Sequence, residues 1–364
     1  MILSTLAVIF TFGLVIFLHE FGHYLLCLRF RVRVLCFAFG FGPELFGFER
    51  WGTRFSVCAI PLGGYVKPAG EAIEEFKGAP DEFFSKKWHE RLQIAAAGPL
   101  MNYVLAFALF TSVFYFKGFP EPSNLPQVGG LVPDYPAIQA GLQIDDTILE
   151  IDGAAIASWK EMAAVINQHA GTPASLKLSR QGKIMAVSVT PKLDPARNVG
   201  LMGVQQKVEF VRLGVWQSAG EGAYQTYYWT ALTVKTLASK IYHREKPDLA
   251  GPVGIMQIIG EKAHSGLGEF IYLIALISVA IGFFNILPIP ILDGGHVAFY
   301  VLEGIRGKMA RPKTIQTANS VGLGLLFTVL IFATYNDISR IWAEKKTRGA
   351  AAPPAVEQTH NDGK

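Results

Sequence analysis

Two histidines stand four residues apart, His19 and His23, and Glu20 directly follows the first, in the stretch HEFGH. On a helix, residues four apart share one face. Both imidazoles can therefore ligate one tetrahedral zinc ion, with Glu20 placed to take a proton from a water that the metal activates. Zinc brings the pKa of such a water to about 7, so hydroxide becomes available to attack a peptide carbonyl. A catalytic zinc needs a third protein ligand. His89 lies among charges, and His169, His243 and His264 fall in a long polar-to-mixed region where ordinary surface histidines are expected. That leaves the stretch LDGGH inside an otherwise oily segment, with Asp293 as the carboxylate candidate and His296 as its rival.

The elements that must position these groups are membrane spans. Of the 364 residues, 51% are hydrophobic and only 17% charged, an oily balance for a soluble domain. Four apolar stretches, roughly Ile2–Leu28, Ile94–Phe116, Phe270–Leu287 and Val321–Tyr335, read as spans of about 30 Å of hydrocarbon, the short fourth extending back toward Ala318 and forward toward Ile341. The first lacks a basic leader and an A-x-A-like cleavage site, so it reads as a retained helix. His19 then lies roughly 14 Å from the Arg29 end at 1.5 Å per residue, deep in the bilayer, where ionisable side chains are costly and mark function. NILPIPILDGGH interrupts the third stretch and predicts a break within the membrane or at its edge.

Between the first two spans, Arg29–Leu92 alternates aromatics and glycine, which predicts a membrane-associated β-hairpin region. Backbone of this kind survives at membrane depth only when buried in protein or lining a wet cavity. Gly118–Gly268 opens with a compact α+β pattern that closes on a hairpin at Gln181-Gly182. Leu213–Tyr242, rich in tyrosine and tryptophan, predicts a helix lying at the membrane interface. Arg29, Arg31, Arg33 and the basic loop at 288–316 vote for the cytoplasm, which puts Gly118–Gly268 outside; Lys345, Lys346 and Arg348 vote against them. The net charge of +4 is mild, and there is no basic stripe for nucleic acid. Cys27, Cys36 and Cys58 are odd in number and lack a CxxC spacing, so they give neither a disulfide framework nor a zinc knuckle.

HEFGH on the first span, followed by Asn285, Pro288, Pro290, Leu292, Asp293 and Gly294 in NILPIPILDGG, resembles the site-2 protease family of intramembrane zinc metalloproteases. GGYVKPAG and AAAGPLMNYVLAF are similar to stretches of the branch that contains the bacterial regulator-of-sigma-E protease. YPAIQAGL and DDTILEIDG resemble a PDZ domain. The likeness spans nearly all of Met1–Ile341. It implies a multi-pass α-helical membrane protein of about four transmembrane helices, with the β-hairpin region and one inserted PDZ domain. The expected division is 1–117 for two spans and the β region, 118–200 for the PDZ domain, 201–266 for the interfacial helix and linker, 267–342 for the last two spans, and 343–364 for a disordered tail.

The resemblance assigns His19, His23 and Asp293 as Zn2+ ligands, Glu20 as general base and Asn285 as a donor to the substrate backbone or developing oxyanion. Gly63, Gly64 and Tyr65 correspond to an edge strand that receives an unwound substrate by strand addition. The expected substrate is a single-span membrane protein, such as an anti-sigma factor or a remnant signal peptide. The PDZ domain, on Gly129–Val132 and the following loop, is expected to take a peptide or protein C-terminus. The expected location is the bacterial inner membrane, with the PDZ domain outside and the site opening toward the cytoplasm. The branch's better-known member carries two PDZ domains; this chain has room for one. A metal transporter would show several intramembrane ligands along a path and inverted repeats. An inactive PDZ scaffold would have lost HExxH or the LDG aspartate. Neither is the pattern here.

Overall fold

An unbroken apolar run with no proline and no charge before Glu20 makes the first element, α1 (Ile2–Arg29), a helix of 28 residues. It is about 42 Å long at 1.5 Å per residue. The structure is a computed structural model and describes residues 2–72, 75–243, 251–309 and 311–350. Along the chain, α1 is followed by β1 (Val34–Arg50), β2 (Thr53–Pro68) and α2 (Trp88–Phe116). An inserted stretch then carries β3 (Phe119–Pro122), β4 (Val128–Leu131), α3 (Pro136–Gln139), β5 (Thr147–Ile151), β6 (Ala154–Ala155), α4 (Trp159–Gln168), β7 (Ala174–Arg180), β8 (Lys183–Val189), β9 (Lys192–Asp194), β10 (Val199–Leu201), β11 (Val204–Gln206) and β12 (Val208–Val211). Five helices close the described chain: α5 (Val215–His243), α6 (Pro252–Lys262), α7 (Leu267–Ile286), α8 (Asp293–Arg306) and α9 (Pro312–Ala350). Two compact units result, one of 1–113 with 215–364 and the other of 114–214.

In the first unit, four helices among the described residues are long and apolar enough to cross a membrane: Ile2–Arg29, Trp88–Phe116, Leu267–Ile286 and Lys313–Ala343. Val15, Leu105 and Ile274 pack α1, α2 and α7 together. β1 and β2 are long strands that double back. Gly40 and Gly42, at φ +92° and +88°, turn β1 in the region that glycine enters without steric cost. As a result 53–58 pairs on one side with 36–41 and on the other with 44–50, while 64–68 pairs with 34–39. The sheet therefore has four segments, and 64–68 is an edge among the described strands. Tyr24, Phe37, Ile94 and Tyr300 belong to one buried cluster that ties α1, β1, α2 and α8.

A helix with an aspartate in its apolar run needs a partner for it. Asp337 of α9, 1% exposed, accepts from the Gly251 and Gly254 N–H groups at 3.1 and 2.7 Å, capping the start of α6. α9 continues as helix through Ala350, past residue 343 where the sequence places a disordered tail; 351–364 lie outside the described residues.

The second unit has its own core of Ile148, Ile151, Met162, Leu176 and Leu178. Its main sheet runs β6-β5-β7-β8. The β7–β8 turn holds Gln181 and Gly182 at φ +49° and +79°, the double left-handed turn that the hairpin spacing predicts. The unit reaches past the boundary expected at 200, because β11 pairs with β4 and β12 with β3. These closing strands are three and four residues long, and their partners lie some eighty residues upstream. Such short pieces carry too little period-two pattern to be seen alone.

Candidate active site

Two antiparallel helices build most of the site. α1 presents His19 and His23 on one face, and α2 answers with residues at the same spacing, 94, 98 and 102. The His23 Nδ1 proton goes to the Ile94 carbonyl at 2.8 Å. A carbonyl only accepts, so His23 Nε2 keeps its lone pair for the other side. Opposite it, Gly98 has no side chain. A Cβ there would come within 2.2 Å of His23 Nε2 and 2.8 Å of His19 Nε2. The missing methyl is the space into which both nitrogens point. Gly22 does the same for the helix crossing, since its Cβ would meet the Ala97 carbonyl oxygen at 2.4 Å.

The third group comes from the far end of the unit. α7 stops at Ile286 because Pro288 and Pro290 cannot continue it. The connecting turn carries Ile291 at φ +78°, a strained conformation for a β-branched residue, with its N–H bound to Asn319 Oδ1 of α9 at 3.2 Å. Asp293 then opens α8. Gly294 lets this turn fold tightly, because a Cβ there would lie 2.2 Å from the Ile286 oxygen.

His19 Nε2 lies 3.0 Å from Asp293 Oδ2, His23 Nε2 lies 3.6 Å from Asp293 Oδ1, and the two Nε2 atoms are 3.4 Å apart. A tetrahedral zinc site with bonds of about 2.0–2.1 Å has ligand–ligand edges of roughly 3.3–3.4 Å. Two imidazole nitrogens and one carboxylate at this spacing fit a catalytic zinc with one position left open.

A cavity of about 600 Å³ adjoins the three groups, within the size range of ligand pockets. Glu20 lines it beside His19 and His23, and the Val66 backbone N–H of the edge strand faces its carboxylate. Gly64 also adjoins it, its Cβ position being 3.4 Å from Glu20 Cγ. Tyr65 lines the cavity, and Gly63 packs against the Phe41 ring. His296 lines the cavity one turn beyond Asp293 but does not join the three clustered ligand atoms. Asn285 sits in the last turn of α7, half-buried, and is not among the cavity-lining side chains. Of the other histidines, His169 pairs with Asp152 at 2.9 Å in the second unit, and His264 meets Ser4 at 3.3 Å.

His19, Glu20, His23 and Asp293 all lie within a stretch matched by one family description, Peptidase family M50, over residues 7–329. The chain belongs to peptidase family M50. A Rhizobium meliloti relative of this peptidase is 33% identical, with 91% of this chain and 95% of the relative covered. Zinc metalloprotease RasP of Geobacillus kaustophilus is 29% identical, with 93% and 98% covered. The solved PDZ domain of an SdrC-like protein from Listeria monocytogenes overlaps 24% of the peptidase and 90% of its own chain, at 23% identity and a TM-score of 0.21.

Two contributors to the M50 site are silent in the sequence. Asn102, fully buried on α2, contacts His19 Nδ1 at 3.1 Å. Glu71, after β2, lines the cavity with a solvent-exposed side chain, yet the protein crowded about its carboxyl pushes it up to about 7 against the pull of His23. Only the four-residue spacing of Gly98 and Asn102 on an apolar helix hints at the first, and nothing in the sequence flags the second.

Proposed function

We propose that this M50 peptidase is a zinc endopeptidase that cuts a peptide bond within the membrane-spanning segment of a single-span protein. The observation that carries the reading is the convergence of His19, His23 and Asp293 on one point beside Glu20, with both histidines inside an apolar helix long enough to span. His19 and His23 hold the metal through Nε2, and Asp293 through its carboxylate. Zinc bound there supplies Lewis-acid polarisation of the scissile carbonyl and lowers the pKa of water to about 7. Glu20 takes the proton from the attacking water on its carboxylate and hands it to the leaving amine.

A helical substrate hides its amides in its own hydrogen bonds and must be extended before attack. The 64–68 edge supports a role as template: Gly63, Gly64 and Tyr65 add the substrate as a neighbouring strand, alongside Glu20. Asn285 is assigned as the donor to the developing oxyanion. The peptidase works in a bacterial inner membrane on an anti-sigma factor or remnant signal peptide, after another protease has removed the external part. Its PDZ-like unit lies outside, and the site opens toward the cytoplasm. That unit takes a peptide C-terminus.

The test is cleavage of a tagged single-span substrate in membranes by the wild type and by Glu20→Gln. A cut within the span by the wild type alone, suppressed by a zinc chelator, is the expected outcome. Equal cleavage by both proteins would remove Glu20 from its role.

A further inference from the structure

His19 needs the same tautomer as His23 but lacks a carbonyl to enforce it. Its Nε2 faces Asp293 and His23, so the lone pair belongs on Nε2 and the proton on Nδ1. The atom 3.1 Å from that Nδ1 is Asn102 Nδ2, itself a donor, while Asn102 Oδ1 is buried with no hydrogen-bond partner. Two donors in contact beside an orphaned acceptor is an arrangement that a half-turn of the carboxamide corrects. The turn needs no extra volume, because the amide's oxygen and nitrogen arms are nearly the same size.

We propose that Asn102 is the positioning residue of the metal centre, its Oδ1 accepting the His19 Nδ1 proton and so aiming Nε2 at the metal. This rests on the zinc reading of the site. The surroundings of Asn102 suit the task. Its backbone oxygen accepts from Ser278 Oγ of α7 at 2.8 Å, and Gly282 of α7 lies against it, with a Cβ position 3.2 Å from Asn102 Cβ. Asn102 is 0% exposed, so no water competes for the imidazole proton. α7 thus fixes the Asn102 backbone and Cβ on one side while α1 brings the imidazole on the other. Outer partners of this kind commonly contribute 10–100-fold to metal affinity.

The experiment uses the full chain in detergent. Zinc affinity is measured by competition with a chromogenic chelator for the wild type, Asn102→Leu and Asn102→Asp. Leucine removes the acceptor, and zinc should bind roughly 10–100-fold more weakly; aspartate keeps an acceptor and should hold the wild-type affinity. Loss of affinity in Asn102→Asp equal to that in Asn102→Leu would mean that a donor is required, and wild-type affinity in Asn102→Leu would mean no role; either overturns the proposal. A second readout needs no variant. Cobalt-loaded wild type should show two contact-shifted, exchangeable imidazole N–H signals in its proton spectrum, one each from His19 and His23, both slow to exchange with solvent. A single such signal would mean that one imidazole N–H exchanges freely with solvent, without a buried acceptor such as Asn102 Oδ1, and would overturn the assignment. Failure of the wild type to bind zinc or cobalt at all would instead defeat the zinc reading itself.

Discussion

Arg91, in the first turn of α2, is 1% exposed and gives the sharpest energetic prediction. Its Nη2 donates to Glu303 of α8 at 2.5 Å and its Nε to the Lys86 carbonyl at 3.1 Å, and its guanidinium lies 5.3 Å and 4.9 Å from the Phe84 and Tyr300 ring centres. Glu303 is itself only 15% exposed in its side chain. Arg91→Met leaves that carboxylate in the protein interior without a counter-charge. The expected cost is about 3–5 kcal/mol, plus about 0.5–2 kcal/mol for the lost contacts with the two rings. Glu303→Leu strands Arg91 and should cost a similar amount, about 3–5 kcal/mol. The double variant strands nothing and places two apolar side chains of comparable volume together, so it should lie within about 2 kcal/mol of the wild type, a coupling of roughly 4 kcal/mol or more. Denaturant titration of the purified protein in detergent measures all four states. Zinc content should follow the same order, because α8 carries Asp293 at its first residue. If the double variant loses the sum of the two singles, the pair contributes no mutual energy and apolar packing alone holds α8 to α2.

Gly98→Ala places a methyl where both imidazoles point, so zinc content and cleavage should fall to background while thermal unfolding of the metal-free protein shifts little; retained zinc would show that the two helices part to make room. In the 114–214 unit, burial works to raise the Asp146 carboxyl, but the bidentate Arg180 contacts at 2.8 and 2.7 Å and the Gln143 N–H at 2.8 Å win and hold it below the usual carboxylate range. A depressed folded-state value contributes stability that is fully present above the unfolded value of about 3.9 and lost as pH falls through the folded one. Thermal unfolding of the 114–214 unit should therefore weaken below about pH 4, and Asp146→Asn should be less stable at pH 7 and lose that acid step; an unchanged acid step would mean that another carboxylate controls it.

What the sequence made legible is governed by how narrowly each role restricts residue type. HEFGH and LDGG are legible because metal chemistry admits few side chains, and an ionisable group in an apolar run is conspicuous. Gly98, Asn102 and Glu71 were not. A glycine required for empty space looks like any small residue in AAAGPLMN, and an asparagine that matters for one hydrogen bond looks like an isolated polar position in a span. The β1–β2 region reads as a hairpin because period-two patterning is local, whereas the four-segment sheet depends on Gly40 and Gly42 folding one strand back on its neighbour. The outer limit of the inserted unit was hidden for a related reason: Val204–Gln206 and Val208–Val211 are strands only by virtue of partners far upstream.

The order in which the ligands are synthesised has a consequence of its own. His23 and Asp293 are 270 residues apart, and translation at about 5–20 residues per second separates them by roughly 15–50 s. On the proposed zinc reading, a chain stopped within that interval carries at most the two imidazoles as ligands. Such a chain lacks the Asp293 carboxylate that the proposed metal centre needs. The proposed activity therefore requires synthesis past Asp293, into the last quarter of the chain.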